Sequence, residues 1–194
     1  KTTITVTVSG TPSAPTVSDV SYCKDDVSTA LTATASSGNT LVWYDANQSE
    51  LTSGAPTPST ASVGTTTYYV AQQTASGCEG SKSTITVTVN ALPVAPSSTS
   101  SIEYCKDATG TALTATASGG HTLVWYGTDG TTVLSGAPTP STVSVGSTTY
   151  YVAQQNTTTG CEGLKTTITV TVNALPVAPT ATTTVDYCQD ATAT

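Results

Sequence analysis

The sequence predicts an all-β chain built from tandem antiparallel β-sandwich domains, and three observations carry that expectation. Thr and Val dominate a chain of 194 residues that has no Phe, no Met and only 9% charged residues. Their branched side chains suit a pleated, half-buried surface, whereas disordered chains are poor in such residues and rich in net charge. Apolar and polar residues alternate with period two in several short segments, and no window shows a helical period. Finally, the chain repeats itself: YCKD begins at Tyr22 and again at Tyr104, a period of 82 residues. That is too long for a solenoid unit and suits a small autonomous domain.

Taken in order, each repeat offers the same segments. YCKD at 22–25 and 104–107 returns as YCQD at 187–190. In 31–35, Leu31, Ala33 and Ala35 alternate with Thr32 and Thr34. TLVWY at 40–44 and 122–126 sets Leu41 and Trp43, like Leu123 and Trp125, on a core face, with Val42 and Tyr44 on the other. SGAPTPST at 53–60 and 135–142 punctuates the chain with turn residues. TTYYVAQQ at 66–73 and 148–155 is followed by GCEG at 77–80 and 160–163, and one residue is inserted before Cys161. TITVTVNALPVAP at 84–96 and 167–179 closes each repeat with a strand and a Pro-containing linker. Two Pro three residues apart favour extended, semi-rigid backbone. Short strands with turn signals every 8–12 residues indicate a sandwich of the immunoglobulin-like kind. The expected division is residues 1–10, the last strand of a preceding repeat; 11–92 and 93–175, two full repeats; and 176–194, the start of another. At least four repeats are expected in the parent protein, and the strand at 1–8, separated from its own domain, would be open to pairing with another chain.

Five cysteines in such a chain suggest an oxidising compartment. Two pairing schemes are open. Pairing within repeats gives Cys23–Cys78 and Cys105–Cys161 and leaves Cys188 for a partner beyond the chain; this staple of the domain start to its last hairpin is the favoured scheme. Pairing across the linkers gives Cys78–Cys105 and Cys161–Cys188.

The ordered set YCKD, LTATAS, TLVWY, APTPST, TTYYVAQQ, GCEG and TITVTVN resembles the Ig-like repeats of very large Bacteroidetes surface proteins. These include gliding-motility adhesins of the SprB type exported by the type IX secretion system. The resemblance spans essentially the whole chain. It implies an extracellular, cell-surface filament or adhesin and carries over no catalytic residue.

Composition narrows the function classes. A net charge of −7 with five Lys and no Arg gives no basic cluster for a phosphate backbone or an anionic lipid surface. No segment approaches the roughly 18 apolar residues of a membrane helix. The single His, His121, corresponds to Asn39 in the other repeat, so no His-dependent site recurs. An enzyme is therefore not expected. Recurring acids are Asp25, Asp107 and Asp190, with Glu79 and Glu162 beside the second cysteine. A Cys23–Cys78 bond would gather Asp25 and Glu79 into a cluster of hard oxygens suited to calcium, the one cofactor the sequence raises; the plainer reading is solvated turn residues. Tyr44 and Tyr126 are the candidates for stacking on a sugar ring, against a plainer reading as packed strand tyrosines. The Thr ladders read as ordinary sheet surface, and Lys1, Lys82 and Lys165 at the last strands raise an isopeptide bond that a disulfide would make redundant.

Two functions remain. Each repeat is a spacer in a long surface stalk whose partners are its neighbouring repeats. Alternatively, each repeat binds polysaccharide or another external surface weakly and gains avidity from repetition.

Overall fold

Alternation becomes strands where one face can be buried, and short turns rich in Gly, Asn and Asp separate them. The computed structural model describes residues 2–6, 8–181 and 184–190. Among them the elements are all strands. The first repeat contains β1 (Thr16–Val17), β2 (Val20–Cys23), β3 (Ala33–Thr34), β4 (Thr40–Tyr44), β5 (Glu50–Leu51), β6 (Gly64–Gln73) and β7 (Ser83–Asn90). The second contains β8 (Ser97–Ser98), β9 (Ser101–Cys105), β10 (Ala115–Thr116), β11 (His121–Tyr126), β12 (Val133–Leu134), β13 (Gly146–Asn156) and β14 (Thr166–Asn173).

In the first repeat a five-stranded sheet of order β2-β7-β6-β4-β5 faces a small β1-β3 pair. The second repeat has the same order, β9-β14-β13-β11-β12, with β8 paired to β10. β2 runs parallel to β7 and β9 to β14, whereas β6–β7, β4–β6, β4–β5, β13–β14 and β11–β12 pair antiparallel. The second strand of each repeat therefore lies beside its last, and Cys23 stands opposite Asn90 as Cys105 stands opposite Asn173.

The core follows the predicted faces. Leu31, Trp43, Val70, Ile85 and Val87 form the buried cluster, with Leu41, Tyr22 and Tyr68 packed against it. In β7, Ile85, Val87 and Val89 are buried while the intervening Thr side chains face outward. Trp125, Val152, Ile168 and Val170 are buried in the second repeat.

Beyond the strands, residues 2–6 and 8 belong to no strand, and Ile4, Val6 and Val8 are exposed; Lys1 and Thr7 of the expected leading strand lie outside the described residues. The chain divides into two compact units, Lys1–Pro96 with Ala117–Leu123 and Ala153–Lys165, and Ser97–Thr116 with Val124–Val152 and Thr166–Thr194. No helix among the described residues is long and apolar enough to cross a membrane.

Candidate functional site

The cysteines depart from both expected pairings. Cys23 is bonded to Cys161, with 5.5 Å between their Cα atoms and a sequence separation of 138, while Cys78, Cys105 and Cys188 are free thiols. Strand register explains why the favoured pairing does not form. Cys23 sits beside Asn90, at the C-terminal end of β7. Cys78 lies in the turn between β6 and β7, where Gln73 bridges to Glu79, at the opposite end of β7. Eight residues of extended strand separate those ends by about 23 Å at ~3.3 Å per step, and a disulfide tolerates Cα separations up to about 7 Å. Cys105, opposite Asn173, and Cys161, in the turn between β13 and β14, likewise sit at opposite ends of β14. The stiff double-Pro linker favours pairing within a repeat on sequence grounds, but the parallel β2–β7 pairing that separates the two cysteines has no signature in the alternation.

What brings Cys23 and Cys161 together is legible in the linker. Gln154, fully buried in β13, donates from Nε2 to the Val94 carbonyl at 2.7 Å and accepts at Oε1 from the Ser118 backbone N–H at 2.8 Å. Gly163, two residues past Cys161, faces the Pro93 carbonyl so closely that a Cβ there would come within 2.2 Å of it. The first repeat repeats this arrangement: Gln72 donates to the Ser13 carbonyl and accepts from the Ser36 N–H, and Gly80 faces Pro12. Pro93 is only three residues from Asn90, the neighbour of Cys23. A tether of that length delivers Cys161 to Cys23, both in the same compact unit. Gln72 and Gln154 were not singled out from sequence; their recurrence in TTYYVAQQ was the available signal.

The acidic residues are not gathered either. Asp25, Asp107 and Asp190 all adopt left-handed backbone, with φ of 66°, 60° and 65°, a conformation that Asp tolerates better than most residues. In the first turn, the Asp25 N–H donates to the Thr60 carbonyl, and Lys24 reaches the Asp25 carboxylate in an exposed pair. Glu79 is at the other end of the sheet, where it accepts a 2.6 Å hydrogen bond from the Tyr44 hydroxyl. The expected Asp25–Glu79 calcium cluster is therefore not assembled, and the described residues contain no group of three or more metal-ligating side chains.

The tyrosine candidates are corrected by the same contacts. Tyr44 and Tyr126 are only 7% and 6% exposed. Tyr44 pairs across the sheet with Tyr69, and Lys82 Nζ lies 3.4 Å over its ring centroid. Its outward face is thus occupied by a cation rather than open to a sugar. Burial, and then the Glu79 carboxylate, push its phenol well above the ordinary tyrosine range. His121 makes a local contact with the Gly119 carbonyl.

A family model described as "Ig-like domain CHU_C associated" matches residues 12–91 and 93–174. No curated protein sequence matches. Among solved structures, the fibronectin(III)-like modules of Clostridium thermocellum CbhA align with 15% identity over 86% of this chain and 96% of theirs, with a TM-score of 0.44. The Bacteroides ovatus mixed-linkage glucan utilization protein SGBP-B, solved with a mixed-linkage heptasaccharide, aligns with 17% identity over 79% of this chain and 42% of its own, at 0.27. The titin I-band fragment I67–I69 aligns with 13% identity over 84% and 64%, at 0.31.

Proposed function

Because the chain belongs to the family of Ig-like domains described as CHU_C associated and contains that domain twice, we propose that it is a structural spacer of an extracellular stalk. The stalk would be that of a cell-surface adhesin or filament serving gliding motility or attachment. The observation that carries this reading is the Cys23–Cys161 bond, which ties successive repeats covalently. A covalent link between neighbours serves a chain under tension, and it requires the oxidising conditions found outside the cytosol. The adhesive alternative called for a recurring open aromatic face, and its named candidates, Tyr44 and Tyr126, are buried. The motility and type IX parts of the reading rest on the sequence resemblance.

The test is binding of the oxidised chain, displayed at high density on beads, to a panel of polysaccharides and cell surfaces. A spacer gives no saturable binding at any density. Saturable binding that survives Tyr44→Phe and is competed by one soluble glycan would replace the spacer with an adhesive module.

A further inference from the structure

We infer that the repeats form a directional disulfide ladder, in which the YC cysteine of each repeat is bonded to the GC cysteine of the repeat that follows it. Cys23–Cys161 is one rung. Cys105 would bond the GC cysteine of a third repeat, and Cys188 that of a fourth. Cys78 would bond the YC cysteine of a repeat preceding the first.

The ingredients of the observed rung recur around the free cysteines. Cys105 stands opposite Asn173 in a parallel pair as Cys23 does opposite Asn90, and the Lys106 N–H donates to the Asn173 carbonyl as Lys24 does to Asn90. The six-residue linker ALPVAP follows both Asn residues. Cys78 and Cys161 occupy equivalent hairpins, each cysteine carbonyl accepting from Thr74 or Asn156 at 3.0 and 2.9 Å. In each repeat the buried Gln and the close-packed Gly hold the segment leading into it, Pro12–Ser13 in the first and Pro93–Val94 in the second. The turn after YC is formed even in the third copy, where Asp190 keeps a φ of 65°. The free thiols are accessible as a ladder demands: Cys105 and Cys188 are exposed and Cys78 partly so.

Each rung forms by thiol–disulfide exchange with a disulfide-bearing oxidant, such as oxidised glutathione or a thiol oxidoreductase. One cysteine thiolate attacks the oxidant's disulfide, giving a mixed disulfide and one released thiolate. The second cysteine thiolate then displaces the remaining oxidant sulfur. Two cysteines have lost two electrons and two protons, and the oxidant has become two thiols.

Peptide mapping without reduction, after refolding in a glutathione redox buffer and alkylation, tests the inference in two arms. The chain as it stands should yield a Cys23–Cys161 peptide with Cys78, Cys105 and Cys188 alkylated. In a chain lengthened after Thr194 by a copy of residues 112–174, which completes the repeat carrying Cys188, Cys105 should leave the alkylated set and appear bonded to the added GC cysteine. Cys23→Ser should free Cys161 for alkylation without Cys161 turning to Cys105. A Cys23–Cys78 or Cys105–Cys161 peptide, only intermolecular bonds, or an alkylated Cys105 in the lengthened chain would each overturn the ladder. The stalk reading fails separately, by saturable binding in the bead experiment.

Discussion

Buried polar side chains decide how firmly each repeat grips the segment that leads into it. Gln72 uses both ends of its amide, accepting from Ser36 N–H and Asn39 Nδ2 and donating to the Ser13 carbonyl. Removing that buried amide leaves its part-buried partners without their hydrogen bonds. Gln72→Leu should therefore lower stability by about 2–4 kcal/mol in denaturant titration, and Gln72→Glu, which accepts but cannot donate when ionised, should also destabilise. Tyr44 gives a pH signature. Its phenol is held protonated by burial and by the Glu79 carboxylate it donates to. Since the folded state binds that proton more tightly than the unfolded state, this stabilisation is complete below the free tyrosine range near pH ~10 and is lost as pH rises beyond it. Stability followed from pH 8 to 12 should fall more steeply in the parent chain than in Tyr44→Phe, which also loses about 1–3 kcal/mol at neutral pH with the hydrogen bond.

At the scale of the elements, turns and close approaches set the fold's details. Asp25 is left-handed in the turn that follows β2, where Asp26 N–H donates back to the Cys23 carbonyl and Asp25 N–H donates to the Thr60 carbonyl. Asp25→Asn or Asp25→Gly should be nearly neutral, while Asp25→Val should cost about 1–2 kcal/mol because a branched Cβ crowds that backbone. At Gly80 an added Cβ would lie 2.1 Å from the Pro12 carbonyl. Gly80→Ala should therefore loosen the leading segment and cost about 1–3 kcal/mol, read by thermal melting and by faster amide exchange near Ser13. Strand alternation made much of this architecture legible: the inward Ile85, Val87 and Val89 and the core Trp43 carry direct period-two signals. The disulfide was not legible, because pairing depends on which end of β7 each cysteine occupies. Only the parallel registration of β2 with β7 fixes that, and parallel pairing has no local signature. Tyr44 was misplaced for a related reason: alternation puts it on the outward face, but not under Lys82.

For the whole molecule, the bond between Cys23 and Cys161 changes how tension travels. A force applied through the two ends passes along the chain to Cys23, crosses to Cys161 and continues, bypassing the 138-residue loop that holds most of both repeats. The bond would thereby shield those folds from extension, which is what the proposed spacer role calls for. The most direct measurement is single-molecule stretching of the oxidised chain, followed by addition of a reductant under constant force. The oxidised chain should lengthen only over the segments outside the bond. Reduction should then release a further step of about 480 Å, the loop of 138 residues at ~3.5 Å each. Extension of both repeats to full length without reductant would contradict that shielding.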